Sequence, residues 1–217
     1  MHITDFDHIV WDFNGTLLDD VGIGIRSVNR MLSRRLLPEI DGIDAYHAVF
    51  GFPIEDYYRR IGFDFSCESY HDLAHEWVRE YKSLKSDASV RSDALLLVDR
   101  IGAYGLPQSV LSATESQMLA HQLADLGILS RFEGVCGNDN IYAASKAEMV
   151  RAWAEKRSPG RVLMIGDTPH DADVGVYAGF SLALVEGGHA SRATLEETGH
   201  PVYPNFTALR EELFSCI

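Results

Sequence analysis

The 217-residue sequence contains few lysines, few cysteines and no long apolar runs. Its three cysteines, Cys67, Cys136 and Cys216, are widely spaced and form no CxxC pair, which excludes a disulfide framework and indicates reduced thiols. No stretch approaches the roughly 18 consecutive apolar residues of a membrane helix, and the first residues lack the basic and apolar regions of a secretory signal. We therefore expect a cytoplasmic protein with no membrane partner.

Basic residues are also scarce as a class. The 19 lysines and arginines stand against 32 acidic residues, which gives a formal net charge of -13. Such an acidic chain repels nucleic acid, so no nucleic-acid partner is expected, and it is suited to hold a cation. Hydrophobic residues at 46% and charged residues at 24% are close to globular averages, which excludes a disordered, collagen-like or coiled-coil chain.

Short apolar runs alternate with helical patterns over most of the chain. Strands are predicted at residues 8–13, 107–111, 132–136, 161–165 and 180–185, with helices at about 92–104, 115–126, 146–157 and 169–178. This alternation predicts an α/β domain with a parallel sheet and helices on both of its faces. Residues from about 18 to 88 contain no convincing strand and carry apolar residues at helical spacing. The predicted organisation is therefore a core of residues 1–17 and 89–217 with a helical insertion at 18–88.

The first strand ends in two polar side chains that point to the same side. Asp12 and Asn14 are two residues apart, and side chains on a strand alternate between its faces. Ligands bind outside the carboxyl ends of the strands in open α/β sheets, so this is a candidate site. The alternative is a hairpin turn at Asn14-Gly15, which would leave Asp12 as an ordinary strand-end carboxylate.

The fourth strand ends in a second acidic segment. Thr168 as N-cap, Pro169 at the first helical position and Asp171 three residues after the cap predict a helix start. Asp167 is not needed for that start, and a carboxylate at the mouth of a parallel sheet indicates a cation with oxygen ligands. The alternative for Asp167 is a turn in which its side chain bonds its own backbone.

Two further strand ends carry groups that can hold an anion. Ser112 closes the second strand, and the free amides around Ala113 precede a helix for which Thr114 and Gln117 form a possible capping box. Lys146 follows Ser145, which with Glu148 forms another capping box, so its charge opposes the helix macrodipole unless an anion lies nearby. The alternative for Lys146 is a solvated side chain.

Taken in order, these four segments resemble the motifs of the haloacid dehalogenase superfamily of aspartate-nucleophile phosphohydrolases. The matching segments are DFNGTLLD at 12–19, LSAT at 111–114, the Lys146 segment and GDTPHD at 166–171. The resemblance is in particular to members like phosphoglycolate phosphatase, which carry a helical cap inserted after the first motif. The resemblance implies a Rossmann-like core with an all-helical cap, a small phosphorylated metabolite as substrate, and a monomer or homodimer. It also argues against the hairpin.

The resemblance implies a role for each matching residue. Asp12 is the nucleophile that forms an aspartyl-phosphate. Mg²⁺ is the implied cofactor, and its ligands are Asp12, the backbone carbonyl of Asn14, Asp167 and Asp171. The phosphoryl oxygens are held by Thr16, Ser112 and the amide of Ala113, while Lys146 balances the negative charge.

Asn14 departs from the family pattern, in which a second aspartate at this position acts as general acid and base. An amide cannot exchange a proton near neutral pH, and such catalysis is worth about 10²–10⁴-fold. The open explanations are an ester with a good leaving group, another acid such as His170, or a phosphate-ligand or partner-binding protein with a weakened site. His170 is otherwise an exposed residue of the first helical turn.

Two non-phosphate reactions are further alternatives. A haloacid dehalogenase releases a halide without protonating it, and the phosphonoacetaldehyde hydrolase relative also lacks the second aspartate but needs a cap lysine, here Lys82 or Lys85.

Specificity is expected to come from the insertion. The candidates are the segment Gly51-Phe52-Pro53 and the following Tyr57, Tyr58, Arg59 and Arg60, together with the loop Gly187-Gly188-His189 after the fifth strand. The aromatic residues are otherwise core of the insertion, and the arginines otherwise solvated.

Overall fold

The structure is a computed structural model that describes residues 1–138 and 146–215. In these residues the elements are, in chain order, β1 (His8–Trp11), β2 (Leu18–Asp19), α1 (Val21–Arg34), α2 (Gly42–Val49), α3 (Ile54–Arg60), α4 (Tyr70–Leu84), β3 (Ser89–Val90), α5 (Ser92–Tyr104), β4 (Gln108–Glu115), α6 (Ser116–Asp125), β5 (Gly134–Asn138), α7 (Lys146–Arg157), β6 (Val162–Gly166), α8 (Pro169–Ala178), β7 (Ser181–Val185), α9 (Arg192–Glu196), β8 (Val202–Tyr203) and α10 (Phe206–Leu213).

The main sheet has six parallel strands in the order β5-β4-β1-β6-β7-β8. β1 lies near its centre, where Ile9 pairs with Gln108 on β4 and with Leu163 on β6. All four residues of β1 are buried, as a parallel strand covered on both faces requires. This confirms the predicted α/β class with a Rossmann-like parallel sheet.

Each face of the sheet is covered by its own layer of helices. Trp11 points into a cluster that contains Leu97 of α5, Leu119 of α6 and Phe206 of α10. Its neighbour Val10 points to the opposite face, where α7, α8 and α9 supply the packing. Two apolar layers therefore fix β1, and with it the direction in which the residues after Trp11 leave the sheet.

Helices α1 to α4 have a separate apolar cluster. Its fully buried members include Val28, Met31 and Leu73, and the helices are joined by a network in which Arg35 contacts both Glu68 and Glu76. We call these four helices the cap. Because the cap buries its own side chains, it is not an extension of the sheet layers. It forms a roof over the edge of the sheet.

Three details of the fold differ from the sequence predictions. The pair β2–β3, in which Leu18 faces Val90, is antiparallel and makes the expectation of no strand from 18 to 88 wrong. The edge strand β8 was not predicted, since a two-residue strand leaves no apolar pattern. The predicted capping box of Thr114 and Gln117 is also wrong, because β4 continues to Glu115. The carboxylate of Glu115 caps the helix instead and accepts from the amides of Gln117 and Met118, both at 2.9 Å.

Ser145, predicted to cap the helix of Lys146, lies outside the described residues. In the described part of the chain, no helix combines the length and hydropathy that a bilayer crossing requires.

Candidate active site

Three buried aspartates meet at the carboxyl ends of β1 and β6. The amide of Asp12 donates to the carbonyl of Ile165 at 2.9 Å, so the two strand ends lie side by side, with Asp167 directly after β6. Asp171 joins them from the first turn of α8. One carboxylate oxygen from each aspartate lies within 4.8 Å of the others, and all three residues are buried. Neighbouring strands thus bring Asp12 together with Asp167, which is 155 positions later in the chain, and with Asp171, which is 159 positions later.

The start of α8 orients Asp171 inward. Thr168 is the N-cap and Pro169 the first helical residue, as predicted, and the Asp171 carboxylate accepts from the Thr168 amide at 3.1 Å and hydroxyl at 2.7 Å. These contacts use Oδ2 of Asp171. Its Oδ1 is left to face the centre of the site, where it meets Lys146.

Lys146 is buried between two of the carboxylates. Its Nζ donates to Oδ1 of Asp171 at 2.5 Å and to Oδ1 of Asp12. Burial lowers the pKa of Lys146, but the charges of Asp12 and Asp171 outweigh this effect and raise the pKa above its usual value. The side chain is therefore a permanent cation. The alternative of a solvated lysine is therefore wrong.

One ammonium does not balance three buried carboxyls. Burial, followed by the charge of Asp171, raises the pKa of Asp12 well above its usual range, and burial raises that of Asp167 to about 6. For Asp171 burial acts in the same direction, but the charge of Lys146 outweighs it and lowers the pKa. Carboxylate oxygens in excess of the local positive charge fit a hard divalent cation such as Mg²⁺.

Both oxygens of Asp167 are held by hydrogen bonds. The hydroxyl of Thr16 donates to Oδ1 at 2.5 Å, and the backbone amide of His189 donates to Oδ2 at 2.7 Å. Thr16 is fully buried, so its hydroxyl orients Asp167 and does not face the cavity described below. The phosphate contact predicted for Thr16 is therefore not favoured by this arrangement.

The segment 112–114 lines the same cavity as Asp12 and Asp171. Ser112 and Ala113 line the same cavity as Asp12 and Lys146, and the Ser112 hydroxyl accepts from the amide of Thr114 at 3.1 Å. Ser112 and Ala113 therefore lie at the same cavity as the candidate nucleophile, and their contacts with phosphoryl oxygens stay a prediction.

Asn14 is fixed by three side-chain hydrogen bonds. Its Nδ2 donates to Asp20 at 2.6 Å and to the Tyr81 hydroxyl at 3.2 Å, and its Oδ1 accepts from Thr114 at 2.8 Å. After Asn14 the chain turns at Gly15, and β2 pairs with β3 instead of with β1. The hairpin alternative is therefore wrong.

A buried ion pair next to Asn14 was missed in the sequence. Nε2 of His189 lies 3.4 Å from Oδ1 of Asp20, and Nδ1 of His189 hydrogen-bonds the hydroxyl of Tyr46 in the cap at 2.7 Å. Although burial opposes both shifts, this pairing raises the pKa of His189 to about 9 and lowers that of Asp20. The loop of His189 had been a candidate, but no local pattern links it to Asp20.

A cavity of about 190 Å³ lies between the aspartates and the cap. Its floor includes Asp12, Ser112 and Lys146. Its roof is largely aromatic and includes Tyr46, Phe50, Phe52, Tyr57, Tyr58 and Trp77. Tyr57 and Tyr58 thus line the site as well as packing in the cap.

The other cap candidates lie elsewhere. Arg59 contacts Glu55 and Asp56, and Arg60 donates to the carbonyl of Val49, so neither lines the cavity. Both candidate Schiff-base lysines, Lys82 and Lys85, are exposed, and Lys85 pairs with Asp125. The structure therefore gives the phosphonate reaction no lysine among these cap residues.

His170 lines the cavity and is not an exposed helix residue. Its ring stacks on Phe52 with the ring centroids 4.3 Å apart. Burial, followed by the charge of Lys146, lowers its pKa, so the imidazole is neutral at pH 7.

These features define a class of protein. The model of the haloacid dehalogenase-like hydrolase family matches residues 9–185, and the chain belongs to this family. It is 25% identical over 214 residues to the tyrosine-protein kinase PtkA of Mycobacterium tuberculosis, which covers 94% of this chain and 70% of that protein. The structure of PtkA superposes with a TM-score of 0.78 at 22% identity, over 95% of this chain and 97% of that one.

Two further solved structures share the fold. A predicted phosphatase from Clostridium acetobutylicum has a TM-score of 0.77 at 17% identity, over 95% of this chain and 97% of that one. A predicted phosphoglycolate phosphatase from Haemophilus somnus has a TM-score of 0.73 at 16% identity, over 94% and 96%.

The turn at Gly15 provides a test of how tightly the site is packed. A Cβ at Gly15 (φ +76°) would lie 2.3 Å from Oδ2 of Asp167, whereas a Cβ at Gly179 (φ +75°) meets nothing within 4 Å. Left-handed strain should therefore cost both alanine variants about 1–3 kcal/mol in the free energy of unfolding, with a further loss in Gly15→Ala from displacement of Asp167. Urea unfolding measures both values. Equal losses would contradict the close contact at Asp167.

Proposed function

We propose that the protein is a Mg²⁺-dependent phosphohydrolase that cleaves a small phosphate monoester through an aspartyl-phosphate on Asp12. The observation that carries this proposal is the position of Asp12, which is buried at the floor of a cavity, in contact with Lys146, and shares that cavity with Ser112 and Ala113. An ionised carboxylate, a fixed cation and hydrogen-bond donors around one small volume suit attack on a phosphoryl group. The substrate is a phosphorylated metabolite and not a nucleic acid or membrane.

In the first step an oxygen of Asp12 attacks phosphorus, and the bond from phosphorus to the leaving oxygen breaks. Lys146 contacts one oxygen of Asp12, so it orients the carboxylate and favours its ionised form against the effect of burial. The hydroxyl of Ser112 and the amide of Ala113 are the proposed donors to the phosphoryl oxygens. These donors lie on β4, whose pairing with β1 fixes their distance from the nucleophile.

Asp12, Asp167 and Asp171 would hold the Mg²⁺ ion, with the backbone carbonyl of Asn14 as the predicted fourth protein ligand. When bound, the ion supplies the positive charge that allows a phosphate dianion to approach three carboxylates. Thr16 and the amide of His189 keep Asp167 in place for this task.

In the second step water attacks phosphorus, and the bond between phosphorus and Asp12 breaks to restore the carboxylate. Asn14 cannot take the proton of that water or give one to the leaving group, and its amide is committed to Asp20, Tyr81 and Thr114. This arrangement also favours the second candidate function, a phosphate-ligand-binding protein with little turnover.

The nucleophile is tested by Asp12→Asn. We expect hydrolysis of p-nitrophenyl phosphate to fall by more than about 10³-fold, as removal of a nucleophile does in other enzymes. The matched control is Asp173→Asn, because Asp173 is an exposed carboxylate on the same helix as Asp171 and should leave the rate unchanged. Activity that survives in Asp12→Asn would exclude the aspartyl-phosphate.

The metal site is tested by stability, independently of turnover. A ligand at 100 times its dissociation constant stabilises the folded state by about 2.7 kcal/mol, so saturating Mg²⁺ should raise the melting temperature of the wild type. Asp167→Asn removes a carboxylate from the site, and the Mg²⁺-induced rise should be lost. An equal rise in both proteins would place Mg²⁺ elsewhere.

The role of Asn14 is tested by Asn14→Asp. The new carboxyl would face Asp20, whose negative charge raises the pKa of its neighbour and makes it a better proton donor. We expect a gain of about 10²-fold or more in kcat for alkyl phosphates, which need a proton on the leaving oxygen. An unchanged kcat would mean that another group already supplies the proton. Phosphate release from ethyl phosphate is the measurement.

A further inference from the structure

We propose that the substrate is a free aryl phosphate monoester, with one aromatic ring in the cap cavity and the phenolic oxygen joining that ring to phosphorus. This inference rests on the phosphohydrolase function proposed above and specifies its substrate class. Three independent features of the cavity support it: the chemistry of its roof, its charges, and the absence of a proton donor at Asn14.

The roof of the cavity is built from ring systems. Phe50, Phe52, Tyr57 and Trp77 all line it, and apolar Ile54 lies among them. Aromatic rings attract one another in offset or edge-to-face arrangements beyond the simple burial of apolar area. A polyol in the same place would lose its bonds to water and meet a mostly apolar surface, in which Tyr57 and His170 offer the unpaired polar atoms, so each hydroxyl group left without a partner would cost free energy.

The charges of the cavity exclude a second anionic group on the substrate. Lys146 and His189 are the cations that line it among the described residues, and each is already paired with carboxylates. Residues 139–145, which the structure does not describe, contain no lysine, arginine or histidine in the sequence. Glu115 adds a further negative charge to the lining. A carboxylate or a second phosphate on the leaving group would therefore be buried without a cation.

The leaving oxygen of an aryl ester departs without a proton. A phenol has a pKa of about 10, whereas an alcohol is close to water at about 15.7, so a phenolate is much the better leaving group. Asn14 supplies no proton, because its side chain is an amide that is held by Asp20, Tyr81 and Thr114. The aryl ester is thus the kind of monoester whose cleavage needs no proton from position 14.

The size of the cavity favours a small free molecule. An apolar cavity of about 150 Å³ holds one benzene molecule in another protein, and this one measures about 190 Å³ including the space over Asp12. This volume has room for one ring beside the phosphoryl group over Asp12, and the flanking residues of a phosphopeptide would have to lie outside it.

The reaction balances without an added reagent beyond water. The Asp12 oxygen bonds to phosphorus as the bond to the aryl oxygen breaks, and the electron pair leaves on an aryloxide that takes a proton from solvent. Water then bonds to phosphorus, the pair of the Asp12–phosphorus bond returns to the carboxylate, and the proton of the water passes to solvent. The products are one phenol and one phosphate.

The first experiment compares four esters: phenyl, benzyl and ethyl phosphate, and phosphoglycolate. Phenyl and benzyl phosphate share a ring, so both should have a KM about tenfold below that of ethyl phosphate, and only phenyl phosphate should have a high kcat. Phosphoglycolate should be the poorest of the four because of its carboxylate. In Asn14→Asp the kcat should rise for benzyl phosphate and not for phenyl phosphate.

A binding measurement separates this inference from the proposed function. Phenylphosphonate and methylphosphonate cannot be hydrolysed, and calorimetry in the presence of Mg²⁺ should give about tenfold tighter binding for phenylphosphonate. If that preference holds and no ester turns over, the hydrolase proposal fails and the aryl site stands. If esters turn over and the ring gives no advantage in KM or affinity, the aryl site is excluded and the hydrolase proposal stands.

A matched pair of variants tests the location of the ring. Phe52 lines the cavity with 37% of its surface exposed, and Tyr104 lies on α5 outside the cavity with 40% exposed. Phe52→Ala should raise the KM for phenyl phosphate about 3- to 10-fold and leave that for ethyl phosphate unchanged, and Tyr104→Ala should change neither. A phosphotyrosine peptide is the last comparison, and its hydrolysis as efficiently as phenyl phosphate would overturn the assignment to a free small molecule.

Discussion

The contact of Lys146 with Asp12 and Asp171 is the interaction on which the rest of the structure depends. Three carboxyls in an apolar sheet edge repel one another, and without a cation their charged forms would be strongly disfavoured. The parallel pairing of β1 with β6 brings two of them together, and α7 brings the ammonium of Lys146, which offsets their repulsion. The sheet order and the charge of one lysine are therefore parts of a single constraint.

The fold was largely predictable because its main signals are local. Buried parallel strands produce short apolar runs in the sequence. The start of α8 is indicated by Thr168, Pro169 and Asp171, which follow the residue preferences of a helix N-terminus. The strands that escaped prediction, β2, β3 and β8, have two residues each and exist only through their partners. The helices α9 and α10 also escaped prediction. Glu115 shows the same limit, since whether a strand stops at residue 111 or 115 is decided by the neighbouring strand β5.

The site was predictable where a residue type follows a strand, and unpredictable where contacts cross the chain. Asp12, Asp167 and Lys146 could be found from their places at strand and helix ends. The Asp20–His189 pair joins residues 169 positions apart, and nothing near either of them in the sequence indicates the other. Tyr57 and Tyr58 had two interpretations, as core of the cap or as lining of the site, and the structure shows that they are both.

The short β2–β3 ladder has a mechanical consequence. The chain enters the cap through β2 and leaves it through β3, so both connections run side by side and are hydrogen-bonded to each other. Two connections that are hydrogen-bonded to each other constrain the position of the cap more than two independent linkers would. Asp20 follows β2 directly, and on the far side Tyr46 is tied to His189, whose backbone holds Asp167. Any movement of the cap would consequently reach the aspartates of the site by two routes, through Asp20 and through His189.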